Sequence, residues 1–298
     1  MTENSKSFLI CHRGALGDFI LTWPAILLLK KHFTEYKFIG LGRPDYMKLA
    51  IYLGLLGEYH DADSAAMQDF FENGIIPPEL GNPEKGSLWL KDAWETAELI
   101  KKNSQCDFAP MEPFPQEKCH VAKFHVREIL KYFKVSGSIA SAPVNLADFT
   151  PLNSSFHKSN TILIHPGSGS LKKNYSPEFY LKVAKFAEAH FKKDVKFILG
   201  PVEMERGACK FFPAEKTLAP ANASVLADIL RGAFLYIGND SGTSHLSGFL
   251  GTPSVILYRN TNPEIWGVVG RKVKTIQEID ESKLLEKLSN IFLLLEHF

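Results

Sequence analysis

The sequence lacks most of the features that would place it quickly. It has four cysteines, Cys11, Cys106, Cys119 and Cys209, in 298 residues. None form a C-x-x-C pair and the spacing fits no zinc pattern, so the thiols read as reduced ones in the cytosol. Charge of one sign is missing too: 34 Lys and Arg stand against 33 Asp and Glu. This excludes a bulk electrostatic case for nucleic acid or for steering to an anionic membrane, and any anion site must be local. There is no long hydrophobic run. The longest apolar stretch, from Phe19 to Leu29, is broken by Thr22 and Pro24 and is too short to span a bilayer. The first residues are polar, without a signal-peptide pattern. The expected location is the cytoplasm, and peripheral contact with the inner face of the membrane is compatible with all of this.

What is present is ordinary globular material, 45% hydrophobic and 22% charged, long enough for two α/β domains. An apolar strand from Ser7 to Cys11 leads into a loop, and the run Phe19 to Phe33 is apolar on nearly every face, as a buried helix would be. Pro24 either kinks that helix or marks a later start. Lys37 to Leu41 reads as a strand. Helices are expected over Leu49 to Leu56, Trp89 to Lys102 and His120 to Phe133. The Pro-, Asn- and Ser-rich stretch 143–160 places a domain boundary after residue 152. Beyond it, strands at 161–165, 195–199, 234–237 and 254–258 alternate with helices, which predicts a doubly wound parallel sheet. One of those helices opens with Ser176-Pro177-Glu178, a cap, a proline and a first-turn acid. The tail from Ser282 is an amphipathic helix that could pack on either domain.

Ligands of open α/β sheets bind beyond the carboxyl ends of the strands, and four such loops carry unusual residues. In Gly14-Ala15-Leu16-Gly17-Asp18 the acid is either a plain N-cap or a carboxylate able to accept a proton. In His165-Pro166-Gly167-Ser168-Gly169-Ser170, small residues expose N–H groups that can hold phosphate oxygens, and Lys172 and Lys173 follow. The alternative is a solvated Gly/Ser turn, and the Walker A ending is missing. Gly200-Pro201-Val202-Glu203 sets an acid just after a strand, where ribose hydroxyls are often held; local evidence alone favours a surface Glu in a turn. Gly238-Asn239-Asp240-Ser241-Gly242-Thr243-Ser244-His245 has the order strand, small polar residues, helix, as in a helix-terminus anion site. There Asp240 would cap the helix or bind a hydroxyl, and His245 is either a site residue or a satisfied core histidine. Two further patterns are set aside. Asp61-Ala62-Asp63 is a literal D-x-D, read as solvated loop surface, and Ser241 sits one position late for a nucleophile elbow.

Taken together, these loops resemble glycosyltransferase family 9, which includes the ADP-heptose:lipopolysaccharide heptosyltransferases. The resemblance rests on Arg13-Gly14-Ala15-Leu16-Gly17-Asp18 with Thr22 and Pro24, and on His165-Pro166-Gly167-Ser168-Gly169 with Lys173 and Pro177-Glu178-Phe179. It also rests on Gly238 to Leu246 with Leu250-Gly251-Thr252-Pro253. The resemblance implies a GT-B architecture, two Rossmann-like domains facing a central cleft: residues 1–152 for the acceptor and 153–298 for the donor. It implies inverting, metal-independent transfer of heptose from ADP-heptose to a lipopolysaccharide-core or related, lipid-linked glycan, with no cofactor besides that substrate. Asp18 would be the base, and Arg13, Gly14 and Gly17 its loop. Ser168, Gly169 and Lys173 would hold donor phosphate, and Glu203 (or Glu205) the ribose. Asp240, Ser241, Gly242, Thr243 and His245 would form the diphosphate region. The sequence departs from the family pattern at Tyr175, Thr243 and Ser247-Gly248, and its N-terminal half is short. The rival readings are a nucleotide-sugar epimerase of similar fold and a non-catalytic nucleotide-binding protein.

Overall fold

The computed structural model describes residues 6–135, 145–150 and 159–295. The chain divides into two compact units, Met1–Phe149 and Thr150–Phe298. The boundary expected after residue 152 lies outside the described residues.

The first unit runs β1 (Ser7–His12), α1 (Leu16–His32), β2 (Lys37–Gly42), α2 (Pro44–Tyr52), β3 (Glu58–Asp61), α3 (Gln68–Asn73), β4 (Lys85–Trp89), α4 (Ala93–Asn103), β5 (Asp107–Met111) and α5 (Val121–Tyr132). Its five strands form one sheet in the order β3-β2-β1-β4-β5, with every neighbouring pair parallel. β1 is central and buried along its whole length, as expected of a parallel strand covered on both faces. One face carries α3 and α4 over Leu9, Leu41, Phe70 and Ile100. On the other, Phe8 lies among the rings of Phe33, Phe38 and Phe133.

Five expectations change here. Asp18 is not a cap: α1 starts at Leu16, its N-cap is Ala15, and Asp18 stands in the first turn, where its charge still favours the positive helix end. Pro24 is inside an uninterrupted α1, so the later start is ruled out. The helix expected at Leu49 begins earlier, at Pro44, because Pro44-Asp45 supplies a good first turn, and Gly54 at φ 73° follows its end. Trp89 ends a strand, and the helix after it begins at Ala93. The D-x-D is not all loop either. Asp61 closes the edge strand β3, which is too polar to stand out by its pattern, and Asp63 pairs with Arg13 at 2.7 Å.

The second unit runs β6 (Thr161–His165), α6 (Pro177–Phe191), β7 (Asp194–Ile198), α7 (Pro201–Glu205), β8 (Thr217–Leu218), α8 (Ala223–Gly232), β9 (Leu235–Asn239), α9 (Gly242–Phe249), β10 (Ser254–Tyr258), α10 (Pro263–Trp266), β11 (Val273–Gln277) and α11 (Glu281–Leu295). Its sheet order is β11-β10-β9-β6-β7-β8. The order reverses between β6 and β9, which are hydrogen-bonded neighbours with His165 opposite Gly238. Their two loops therefore leave the sheet side by side, at the point where open α/β sheets bind ligands. Ser176 caps α6 by accepting from Phe179 N–H. The tail helix α11 packs on this unit: Leu284, Leu288 and Phe292 join the same core as Ile162, Phe179 and Phe197.

Candidate active site

In the second unit the site is built from the carboxyl ends of β6 and β9. Asn239, the last residue of β9, is fully buried. Its Nδ2 donates to the Pro166 carbonyl at 2.9 Å, and its Oδ1 accepts from the Tyr180 hydroxyl. This side chain clips the glycine-rich loop to the neighbouring strand. Ser168 tightens the same loop, its Oγ lying 2.7 Å from the Ser170 carbonyl oxygen and 2.6 Å from Asn174 Oδ1. Gly169 is exposed, and a Cβ there would meet nothing within 4 Å.

Asp240 follows the clip and is buried. It accepts from Lys173 Nζ at 2.7 Å and has His245 Nε2 at 3.5 Å. Burial works against its ionisation, but His245 and Lys173 outweigh burial and hold the carboxyl at about 2, below its ordinary 3.8. The cap of α9 is Ser241, whose Oγ accepts from Ser244 N–H, so Asp240 does not cap the helix as one sequence reading had it. Gly242 and Thr243 form the half-buried first turn, whose N–H groups have no partners within the helix. Lys173 is the partly exposed cation of the pair, and Lys172 is exposed.

A second pair lies behind the first. His165 Nδ1 is 3.3 Å from Ser241 Oγ, and its Nε2 is 3.7 Å from Glu203 Oε2. Glu203 is buried, which overturns its reading as a surface glutamate, and it accepts from Gly200 N–H at 2.9 Å. Burial raises its pKa, yet His165 and that N–H bring it below the ordinary carboxylate value. A Cβ on Gly167 would lie 2.0 Å from Glu203 Oε1, so only glycine lets the loop pass the carboxylate. Glu205 is exposed.

In the first unit, Asp18, Arg13 and Gly14 line a cavity of about 720 Å³ with Trp89, Glu95 and His125. Gly17 lies in the first turn of α1. The cavity contains residues that sequence reasoning missed. His12, the buried end of β1, has its Nε2 3.4 Å from the place a Cβ on Gly14 would occupy, and Asp18 Oδ2 is 3.5 Å from the same point. The His12 Cε1 carbon is nearer still, at 2.9 Å, so a side chain here would collide with the imidazole and glycine lets the loop pass close to both groups. His12 Nδ1 is buried and has no hydrogen-bond partner among the described residues. Trp89 Nε1 donates to His125 Nδ1 at 3.2 Å. Burial lowers both histidines to about 3, helped by Arg43 for His12 and by His12 and His120 for His125, so both are neutral at physiological pH. The available signal was a histidine ending an otherwise apolar strand, which occurs at His12 and again at His165.

The model of glycosyltransferase family 9 (heptosyltransferase) matches residues 98–291. The chain belongs to this family. Solved structures agree on the fold. A glycosyltransferase family 9 protein from Veillonella parvula has a TM-score of 0.70 at 16% identity, over 97% of this chain and 90% of that one. E. coli heptosyltransferase WaaC, solved with ADP, gives 0.67 at 15% identity over 96% and 99%. E. coli ADP-heptose lipopolysaccharide heptosyltransferase II gives 0.68 at 13% over 97% and 99%. No curated protein matches the sequence. This glycosyltransferase has the GT-B type of fold, with two Rossmann-like units. No helix among its described residues is long and apolar enough to cross a membrane.

Proposed function

We propose that this family 9 glycosyltransferase moves heptose from ADP-heptose to a sugar hydroxyl of a lipopolysaccharide-core or related glycan, with inversion and without a metal. The observation that carries the donor half is the Lys173–Asp240–His245 cluster set at the start of α9, beside the clipped loop. Inverting transfer asks for charge handling in two places. The leaving diphosphate gains negative charge, which Lys173 and the N–H groups of Gly242 and Thr243 stabilise together. Asp240 carries the opposite sign; it holds Lys173 in place and takes a hydroxyl of the donor. The loop backbone at Ser168 and Gly169 lies against a phosphate, and Glu203 accepts a ribose hydroxyl, with the exposed Glu205 as its alternative.

The acceptor hydroxyl must lose its proton. Asp18 takes it, in the cavity that it lines together with Gly14 and His12, and His12 Nε2 and Asp18 Oδ2 both lie close to Gly14. A proton on Nε2 leaves Nδ1 as the buried unpaired atom, and an orphaned acceptor is commoner in proteins than an orphaned N–H. His12 then donates to the acceptor oxygen, and orients the hydroxyl whose proton goes to Asp18.

The test is a thermal-shift panel with ADP, UDP, GDP and CMP, followed by turnover of ADP-heptose with and without an acceptor glycan. Free ligand at about a hundredfold its dissociation constant stabilises by roughly 2.7 kcal/mol. ADP is expected to give the largest shift, and ADP release to require the acceptor. Equal shifts throughout would remove the adenine assignment. Conversion of donor without acceptor would favour an epimerase, and binding without turnover a nucleotide-binding protein.

A further inference from the structure

The cavity beside Asp18 has a charge pattern of its own. Its carboxylates are Asp18, Glu72, Asp92 and Glu95, and its cations are Arg13 and Lys91. Four acids thus stand against two cations, one of which, Arg13, also pairs with Asp63 at 2.7 Å. The two groups that could add positive charge, His12 and His125, are buried and neutral. The remaining wall is largely apolar: Leu90, Leu99 and Pro113 stand beside the rings of Trp89 and Phe114, and the Phe71 ring lies under the Arg13 guanidinium. Carboxylates accept from sugar hydroxyls, and aromatic faces pack against the C–H faces of a sugar ring. A carboxylated or phosphorylated sugar in the same place would set like charges together, which selects against it.

We propose that the N-terminal cavity takes an uncharged sugar residue as the acceptor, and that its carboxylates reject an anionic one. This rests on the reading of Asp18 as the acceptor-side base. The probes are a methyl hexopyranoside and its matched methyl hexuronide, which differ only by the C6 carboxylate, titrated against the whole protein by ligand-observed NMR at low salt. The neutral glycoside should bind. The uronide should bind roughly fivefold more weakly or worse, the size of one unfavourable charge pair near 4 Å in water. The gap should shrink at high salt and in the Asp92→Asn/Glu95→Gln variant. A uronide that binds as tightly as the glycoside overturns the proposal. So does a gap untouched by both salt and the double variant, or failure of the neutral glycoside to bind. ADP titrated in parallel keeps the two readings apart: ADP binding with the opposite sugar result sinks only the acceptor inference, and no ADP binding sinks the donor assignment instead.

Discussion

Lys173→Met is the most direct test of the donor site, because it removes the ammonium and keeps much of the aliphatic stem. Nζ lies 2.7 Å from Asp240 Oδ2, on a carboxylate whose side chain is 5% exposed. Two losses follow for a nucleoside diphosphate. One is the charge-assisted contact to phosphate, about 1.5–3 kcal/mol, or roughly ten- to hundredfold in affinity. The other is that Asp240, left with His245 at 3.5 Å, now faces the phosphates unscreened by the lysine. The single variant should therefore fall near the weak end, about a hundredfold. Adding Asp240→Asn removes the second loss, so the double variant should bind ADP more tightly than Lys173→Met alone. Calorimetric titration of ADP into wild type, both single variants and the double variant closes the cycle. Unchanged affinity in Lys173→Met would make Lys173 a structural counter-ion only. A double variant no better than the single would mean that Asp240 does not face the phosphates.

Asp18→Asn should fold and bind ADP as wild type does, since Ala15 and not Asp18 is the N-cap of α1; its turnover should drop by about a hundredfold or more, and near-normal turnover would move the base elsewhere. Turnover in excess chelator should equal turnover with magnesium, and a loss restored by metal would defeat the assignment of phosphate stabilisation to Lys173 and α9. Asn239→Leu should cost several kcal/mol in a denaturant melt, because it strips partners from the Pro166 carbonyl and the Tyr180 hydroxyl, at about 1–3 kcal/mol for each buried group left unsatisfied; a change under about 0.5 kcal/mol would refute the clip. The stability that ionised Asp240 contributes should be complete above its ordinary 3.8 and vanish as pH falls towards about 2, so acid titrations of wild type and Asp240→Asn should converge there and nowhere higher.

Much of the second unit is legible in the sequence because its signals are local. Ser176-Pro177-Glu178 contains its own cap, and Gly251-Thr252-Pro253 its own stop. Strands β6, β9 and β10 are nearly continuous apolar runs, as a sheet covered on both faces requires. The first unit is harder to read where structure depends on distant partners. β3 is polar and becomes a strand only by pairing with β2. Trp89 looks helical by its neighbours, yet it lies opposite His12 in the sheet. Within the site, the loops could be found from their small residues, and His12 from its place at the end of an apolar strand, but the clip made by Asn239 and the burial of Glu203 could not. Their roles come from contacts between elements distant in sequence, such as Tyr180 of α6 and Asn239 of β9, and no local pattern encodes these.

The anchoring of the glycine-rich loop has a consequence for the thermodynamics of donor capture. Fixing one residue's backbone costs about 1–2 kcal/mol in entropy, and a loop that ordered itself around a diphosphate would bear that cost at each binding event. Here Asn239, Ser168 and the Gly167–Glu203 contact settle the cost during folding. Free energy from the phosphate contacts is then left for affinity. Nucleotide association should accordingly show a small heat-capacity change, of the size of the surface covered, without the larger one that accompanies a segment folding around its ligand.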